Sequence, residues 1–394
     1  MNTIKISKSR INSLSSTSRL EADISINKKS YTMYYEVEKQ YEKYLTTDVS
    51  DAFLVCLMLY AMEHNYNMEF EGNLSEDLHE QILNYLMPAI YKNIEKYNKI
   101  DIKYNNLISP KYNPKYIATG ISCGVDSLYT IFKNLNHSQE SQLNINALTF
   151  FNAGASGGNG GEDARFIYNE RIKLAKEVAD KLNLPLITVD SNMNEFLQQD
   201  HEATHVFRTL SIPLAMQQLF KLYYFSSGTP YNLFKFTDFD PAYYDILNMQ
   251  LLSTSNTRFF LVGGETTRMG KIEFISNNKI AHNHLNVCIS DISNCSKCSK
   301  CIRTMFNLYL INKLDKFNNV FDIDLFYKNF RKNIRWICIN NKKPDLDEIY
   351  SILKYKKLIK FSDKCYIFFY KTAKFFKVDK IVRKLKRLFK KKHN

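Results

Sequence analysis

The stretch Thr119-Gly120-Ile121-Ser122-Cys123-Gly124-Val125-Asp126-Ser127 constrains the fold of this 394-residue chain more than any other. The apolar run 116–122 ends in small residues and breaks straight into the helical pattern of 127–135, so strand, turn and helix follow one another without a linker. Such a turn points unpaired backbone N–H groups outward, and the helix dipole adds positive potential there, which favours a bound anion. Gly124 permits close backbone approach to phosphate, and the hydroxyls of Ser122 and Ser127 add donors. Asp126 has two readings, a Mg2+ ligand beside the phosphates or a cap for the helix. The turn lacks Gly-Lys-Ser/Thr, which argues against a kinase-like P-loop.

The flanking pattern extends this unit into an α/β domain with a doubly wound parallel sheet over about 115–310. Segments 145–152, 184–189 and 258–262 read as strands. Segments 165–182 and 209–224 read as helices, with a short helix near Thr267, and each crossover is long enough for a right-handed parallel connection. Residues 1–110 read as a small α+β domain with strands at 31–38 and 66–71 and helices at 49–64 and after Ser75. Residues 311–394 read as a helical C-terminal region.

Four of the eight cysteines fall within fourteen residues, as Cys288-x6-Cys295-x2-Cys298-x2-Cys301. Two Cys-x2-Cys turns can bring their sulfurs to one centre while Cys288 closes the fourth vertex, the arrangement a tetrahedral Zn2+ requires. An iron–sulfur cluster and unliganded thiols are the other readings, and His282 and His284 are alternative fourth ligands. Cys56, Cys338 and Cys365 lie among apolar neighbours and read as buried small hydrophobes.

The formal charge of +14 is concentrated at one end: residues 371–394 hold eleven Lys or Arg and one acid, Asp379. There Val378, Ile381, Val382, Leu385, Leu388 and Phe389 recur at helical spacing among the basic residues, an amphipathic basic helix. It either packs its apolar stripe on the body or meets an acidic partner, an anionic membrane surface or RNA. No apolar run reaches the ~18 residues of a transmembrane helix, and residues 1–28 lack the apolar core of a secretory signal, so a cytoplasmic location is expected.

Ser122-Cys123-Gly124-Val125-Asp126-Ser127 resembles the Ser-Gly-Gly-x-Asp-Ser motif of the PP-loop ATP pyrophosphatases. Among these, 7-cyano-7-deazaguanine synthase carries a PP-loop near the start of its domain and a four-cysteine zinc site near the end, in the same order as here. Cys301-Ile302-Arg303-Thr304-Met305 is also similar to PP-loop proteins of surface-polysaccharide gene clusters. The resemblance covers about half the chain. It implies cleavage of ATP to AMP and pyrophosphate, adenylation of a small-molecule carboxylate or amide, and attack by a nitrogen nucleophile. Ser122, Cys123, Gly124, Val125, Asp126 and Ser127, with Asn152 and Gly154, would hold ATP; Asp126, Ser127, Arg268 and Lys271 would serve catalysis with Mg2+. The zinc would brace the sheet edge without touching substrate. Other outcomes are a sugar amidotransferase, a tRNA-modifying enzyme and a non-catalytic nucleotide-binding module.

Cys123 stands where that family has glycine, and a thiol at a helix N-terminus is expected to have a depressed pKa. Segment 152–161 holds five of the twelve glycines and reads either as a loop over the nucleotide or as a plain connection. His205 and Arg208 share a helical face and read as surface residues at a helix start, with an anionic substrate as their functional alternative.

Overall fold

Alternation of apolar and polar residues produces the N-terminal strands. In β3 (Thr17–Ile26), Leu20, Ala22, Ile24 and Ile26 are buried while Arg19 and Glu21 serve cross-strand ion pairs. The computed structural model describes residues 2–135, 141–155 and 160–375. These form two compact units, residues 1–271 and 272–394. The proposed basic helix from Val378 onward lies outside the described residues.

The first unit is built on one eleven-stranded sheet. Its N-terminal strands are β1 (Thr3–Ile6), β2 (Arg10–Ser13), β3, β4 (Lys29–Glu38) and β5 (Asn67–Phe70). Two-residue strands β6 (Leu74–Ser75) and β8 (Leu107–Ile108) pair separately, while β7 (Ile102–Lys103) closes one edge of the large sheet. The remaining strands are β9 (Tyr116–Gly120), β10 (Ala147–Phe151), β11 (Leu186–Ser191), β12 (Phe220–Ser226) and β13 (Arg258–Val262).

These last five are mutually parallel and lie in the order β13-β12-β9-β10-β11. The chain steps outward from β9 to β11, then returns to lay β12 on the other flank of β9, and the resulting reversal is the doubly wound arrangement expected from the sequence. A crevice opens at such a reversal, outside the carboxyl ends of the strands, and here it falls between β9 and β12.

Apart from the β6–β8 pair, the strands of residues 1–110 do not form a separate sheet. β4 pairs antiparallel with β11, Val37 opposite Val189, so the N-terminal strands continue the parallel sheet. The helix Asp51–His64 buries eleven of its fourteen residues and packs against the helix His201–Leu214. A helix apolar all round belongs to an interior. Tyr35 Oη ties these layers, 3.1 Å from the Ala52 carbonyl and 3.0 Å from Ser211 Oγ. The unit division at Lys271/Ile272 therefore differs from boundaries near 110 and 310.

A second difference lies at 209–224. The helix His201–Leu214 takes up only the first part, and Phe220–Ser226 is the strand β12. Pro213, lying inside the helix, lacks an N–H, and Gln217 and Gln218 separate the helix from a Tyr-Tyr-Phe run suited to a pleated, half-buried surface.

The second unit holds no strand among its described residues. Its helices include Ser299–Leu310, Ile323–Lys328, Phe330–Ile339, Pro344–Tyr355 and Phe361–Phe375. Phe306 stacks on Phe330 at 5.5 Å and meets Phe326 edge-on at 5.0 Å. Buried Asp363 pairs with Arg335 at 2.9 Å and with Arg331. No helix among the described residues is long and apolar enough to cross a membrane.

Candidate functional site

The turn after β9 is held by its own hydroxyls. Ser122 Oγ donates to Ser127 Oγ at 3.2 Å, Ser127 Oγ lies 3.1 Å from the Gly124 carbonyl, and the Ser122 N–H reaches Ser127 Oγ at 3.3 Å. Ser122 is exposed, Ser127 and Val125 are buried, and Gly124 is half-buried. Gly124 is the N-cap of the ten-residue helix Val125–Asn134 and supplies no side-chain cap. The first-turn amides therefore lack the side-chain cap that would otherwise satisfy them.

Asp126 does not cap that helix. Its Oδ2 accepts from Arg268 Nη1 at 3.0 Å and its Oδ1 from Lys271 Nζ at 2.9 Å. Lys271 Nζ also donates to the Ser227 carbonyl at 2.6 Å, so it spans the switch point from the β9 turn to the end of β12. Only 2% of the Lys271 side chain is exposed, against 28% of that of Asp126. Burial works against ionisation of Asp126, but the charges and hydrogen bonds of Arg268 and Lys271 outweigh it and hold the carboxyl at about 2.

Gly263 makes room for this pair. Its φ is +94°, and a β-carbon there would stand 2.9 Å from Lys271 Cε. Nearby, Glu265 accepts from Tyr129 Oη at 2.7 Å and from the Gly263 N–H at 3.0 Å, and pairs with Lys133. Burial of Glu265 is outweighed by Lys133 and Tyr129, which hold it at about 2. Ser227, Tyr129 and Glu265 were not singled out in the sequence. The turn-forming Ser226-Ser227-Gly228-Thr229-Pro230 carried a signal, hidden by reading 209–224 as one helix.

Cys123 occupies a strained backbone conformation. It sits at φ +58°, a left-handed conformation that glycine adopts freely, and its thiol is buried. Burial, with the charge of Glu177, pushes the thiol up to about 12, opposite to the depression expected at a helix N-terminus.

Asn152 and Gly154 follow β10 at the same edge of the sheet. Asn152 Nδ2 donates to Asp190 Oδ1 at 2.6 Å, and Arg165 Nε holds Asp190 Oδ2 at 2.9 Å. Gly154 has φ +106° and packs against the Asn194 amide. Segment 156–159 of the glycine-rich stretch lies outside the described residues. Arg208 is not a surface residue: it is 1% exposed and donates to Asn194 Oδ1 and the Gln199 carbonyl, while His205 Nε2 lies 3.2 Å from Asp240 Oδ1.

The cysteine cluster belongs to the second unit. The sulfurs of Cys288, Cys295, Cys298 and Cys301 all lie within 4.8 Å of one another, and those of Cys288 and Cys298 are 3.9 Å apart. Tetrahedral Zn–S bonds of about 2.3 Å require sulfur separations of roughly 3.8 Å, so the four fit one metal ion such as zinc. Burial opposes ionisation of Cys298, but N–H groups of Cys301 and Ile289 and the thiols of Cys301 and Cys295 bring it down to about 7. His282 and His284 are engaged instead by the Ser276 and Ile280 carbonyls. Cys56 and Cys338 are buried, whereas Cys365 is half-buried.

No protein-family model, curated protein or solved structure matches this chain.

Proposed function

We propose that the first unit is an ATP pyrophosphatase of the PP-loop type that adenylates a small-molecule carboxylate or amide for attack by a nitrogen nucleophile. The observation that carries this reading is the uncapped helix start after β9, facing the strand-order reversal, with Lys271 and Arg268 fixed beside it on Asp126. A polyphosphate laid along loop 122–127 would receive the first-turn amides and the Ser122 hydroxyl. Arg268 and Lys271 would neutralise charge developing on the departing pyrophosphate, with Asp126 as their positioning residue. Ser127 braces the turn through Ser122 and the Gly124 carbonyl.

Asp126 is the only acid in loop 122–127, and both its oxygens already serve cations. It does not fit as a free Mg2+ ligand in this arrangement. Asn152 and Gly154 stand at the neighbouring strand end, where a nucleoside would extend from the phosphates. The four thiolates fit a closed structural zinc within the second unit, leaving no position for substrate. The likeness to 7-cyano-7-deazaguanine synthase supports a deazapurine carboxylate as the first acceptor to try.

The test is nucleotide product analysis with Mg-ATP, ammonium and 7-carboxy-7-deazaguanine, wild type beside Asp126→Ala. Acceptor-dependent AMP and pyrophosphate from wild type alone is the expected result. Release of ADP and phosphate would overturn the adenylating mechanism; absence of AMP with this acceptor would overturn the deazapurine assignment and send the screen to sugar carboxylates and tRNA.

A further inference from the structure

At the amino ends of the same parallel strands, away from loop 122–127, the first unit holds a cavity of about 740 Å3. Its wall includes Tyr116 at the start of β9, Asn146 just before β10 and Leu219 just before β12. Three cations, Lys43, Lys111 and Lys115, line it together with three rings, Tyr44, Tyr112 and Tyr116, and no carboxylate is among the lining residues. The Lys43 ammonium stands 5.1 Å above the Tyr44 ring.

We propose that this cavity is a second ligand site, which binds a phosphorylated small molecule carrying a flat ring. Like-charged groups lining one concavity repel each other and focus a positive potential, a cost that a bound phosphate dianion would relieve. None of the three lysines forms an ion pair among the described residues. Tyrosine faces beside ammonium groups suit a ring attached to that phosphate. The volume matches a small molecule. A nucleic-acid strand calls for an extended basic track, and here the three cations line one bounded concavity.

The framework of the site is ordered by bonds that leave the lysines free. Asn146 Oδ1 accepts from the Ile117 N–H at 2.8 Å, and Tyr112 Oη donates to Asp48 at 3.0 Å. The Lys115 N–H reaches the Leu219 carbonyl at 3.2 Å. Backbone and amide groups thus fix the wall, and the charged termini remain for a ligand. The site is independent of the adenylation reading, since it lies at the other end of the strands.

The experiment is calorimetric titration of the full-length protein with AMP, a probe that joins a flat base to a phosphate dianion. Wild type, Lys111→Glu/Lys115→Glu, Lys111→Gln/Lys115→Gln and Asp126→Ala are compared, with unchanged circular dichroism as the folding control. The expected result is binding by wild type and Asp126→Ala alike, weakened at least about tenfold in both lysine double variants, with adenosine also at least about tenfold weaker than AMP. Equal AMP affinity in the lysine variants, loss of binding in Asp126→Ala alone, or no binding at about 10 mM AMP overturns the proposal. So does an RNA oligomer that binds through Lys111 and Lys115 and is not displaced by AMP.

Discussion

Lys271 Nζ lies 2.9 Å from Asp126 Oδ1 and 2.6 Å from the Ser227 carbonyl, so a single, almost wholly buried ammonium joins three segments that 145 residues of chain separate. Removing the carboxylate leaves that charge with one neutral acceptor. Asp126→Ala is expected to destabilise the first unit by about 2 kcal/mol, less than for a fully buried pair because Asp126 retains some solvent. Denaturant unfolding is the measurement. The double variant Asp126→Ala/Lys271→Met should recover part of the loss, whereas additive effects would mean that the pair is not coupled.

Gly263→Ala tests the space the pair requires. A methyl group 2.9 Å from Lys271 Cε, on a backbone at φ +94°, must push the ammonium off Asp126 or shift β13. If Arg268 and Lys271 serve the leaving pyrophosphate, AMP formation should drop about 100-fold or more while zinc content is unchanged. Wild-type turnover in this variant would remove Lys271 from the chemistry.

Cys123 is expected to resist alkylation. A thiol pushed up to about 12 is ionised at pH 8 in roughly one molecule in ten thousand, and its side chain is sealed from reagent. Mass spectrometry after iodoacetamide treatment should find Cys123 unmodified in the native protein and modified after unfolding. Rapid native labelling would restore the depressed thiol pKa expected at a helix N-terminus. Cys123→Gly should relieve left-handed strain of about 1 kcal/mol and keep AMP formation.

The turn at Ser122 was legible because a strand breaking into a helix is a local event, written in adjacent residues. The four-cysteine cluster was legible for the same reason, since its spacing alone brings the sulfurs together. What lay hidden was non-local. Pairing of Val37 with Val189 joins segments more than 150 residues apart, and no alternation within β4 announces which strand it will meet. Arg208 shows a different limit: its helical face reads as polar, but burial depends on what the short helix Met193–Leu197, which carries Asn194, places over it. The strand β12 was lost because apolar runs of this length fit either period, and only the Pro213 and Gln217-Gln218 break marks the change.

One zinc per chain is expected by elemental analysis of the purified protein. Cys298→Ser or Cys301→Ser should abolish it, because three thiolates hold the ion much more weakly than four. Chelation should lower the unfolding temperature of the second unit. A chain that contains no zinc and melts unchanged with chelator would leave the four thiols without a metal role.

Asp245 should make stability fall as pH rises. Burial pushes its carboxyl up to about 7, Asp240 adding to this while His205 and Asn248 oppose it, and its Oδ2 has no hydrogen-bond partner. In the unfolded chain an aspartate ionises near pH 4, so between about pH 4 and 7 the folded state holds a proton that the unfolded state has released. Stability from this group is therefore full below pH 4, declines through that window by on the order of 2 to 4 kcal/mol, and levels off above pH 7. Asp126 works in the opposite sense and elsewhere: held at about 2, it contributes above pH 4 and is lost as pH falls toward 2. The two windows do not overlap, so unfolding free energies of wild type minus Asp245→Asn, taken from pH 4 to 8, isolate the first. A flat difference across that range would mean that Asp245 ionises in the folded protein as readily as in water.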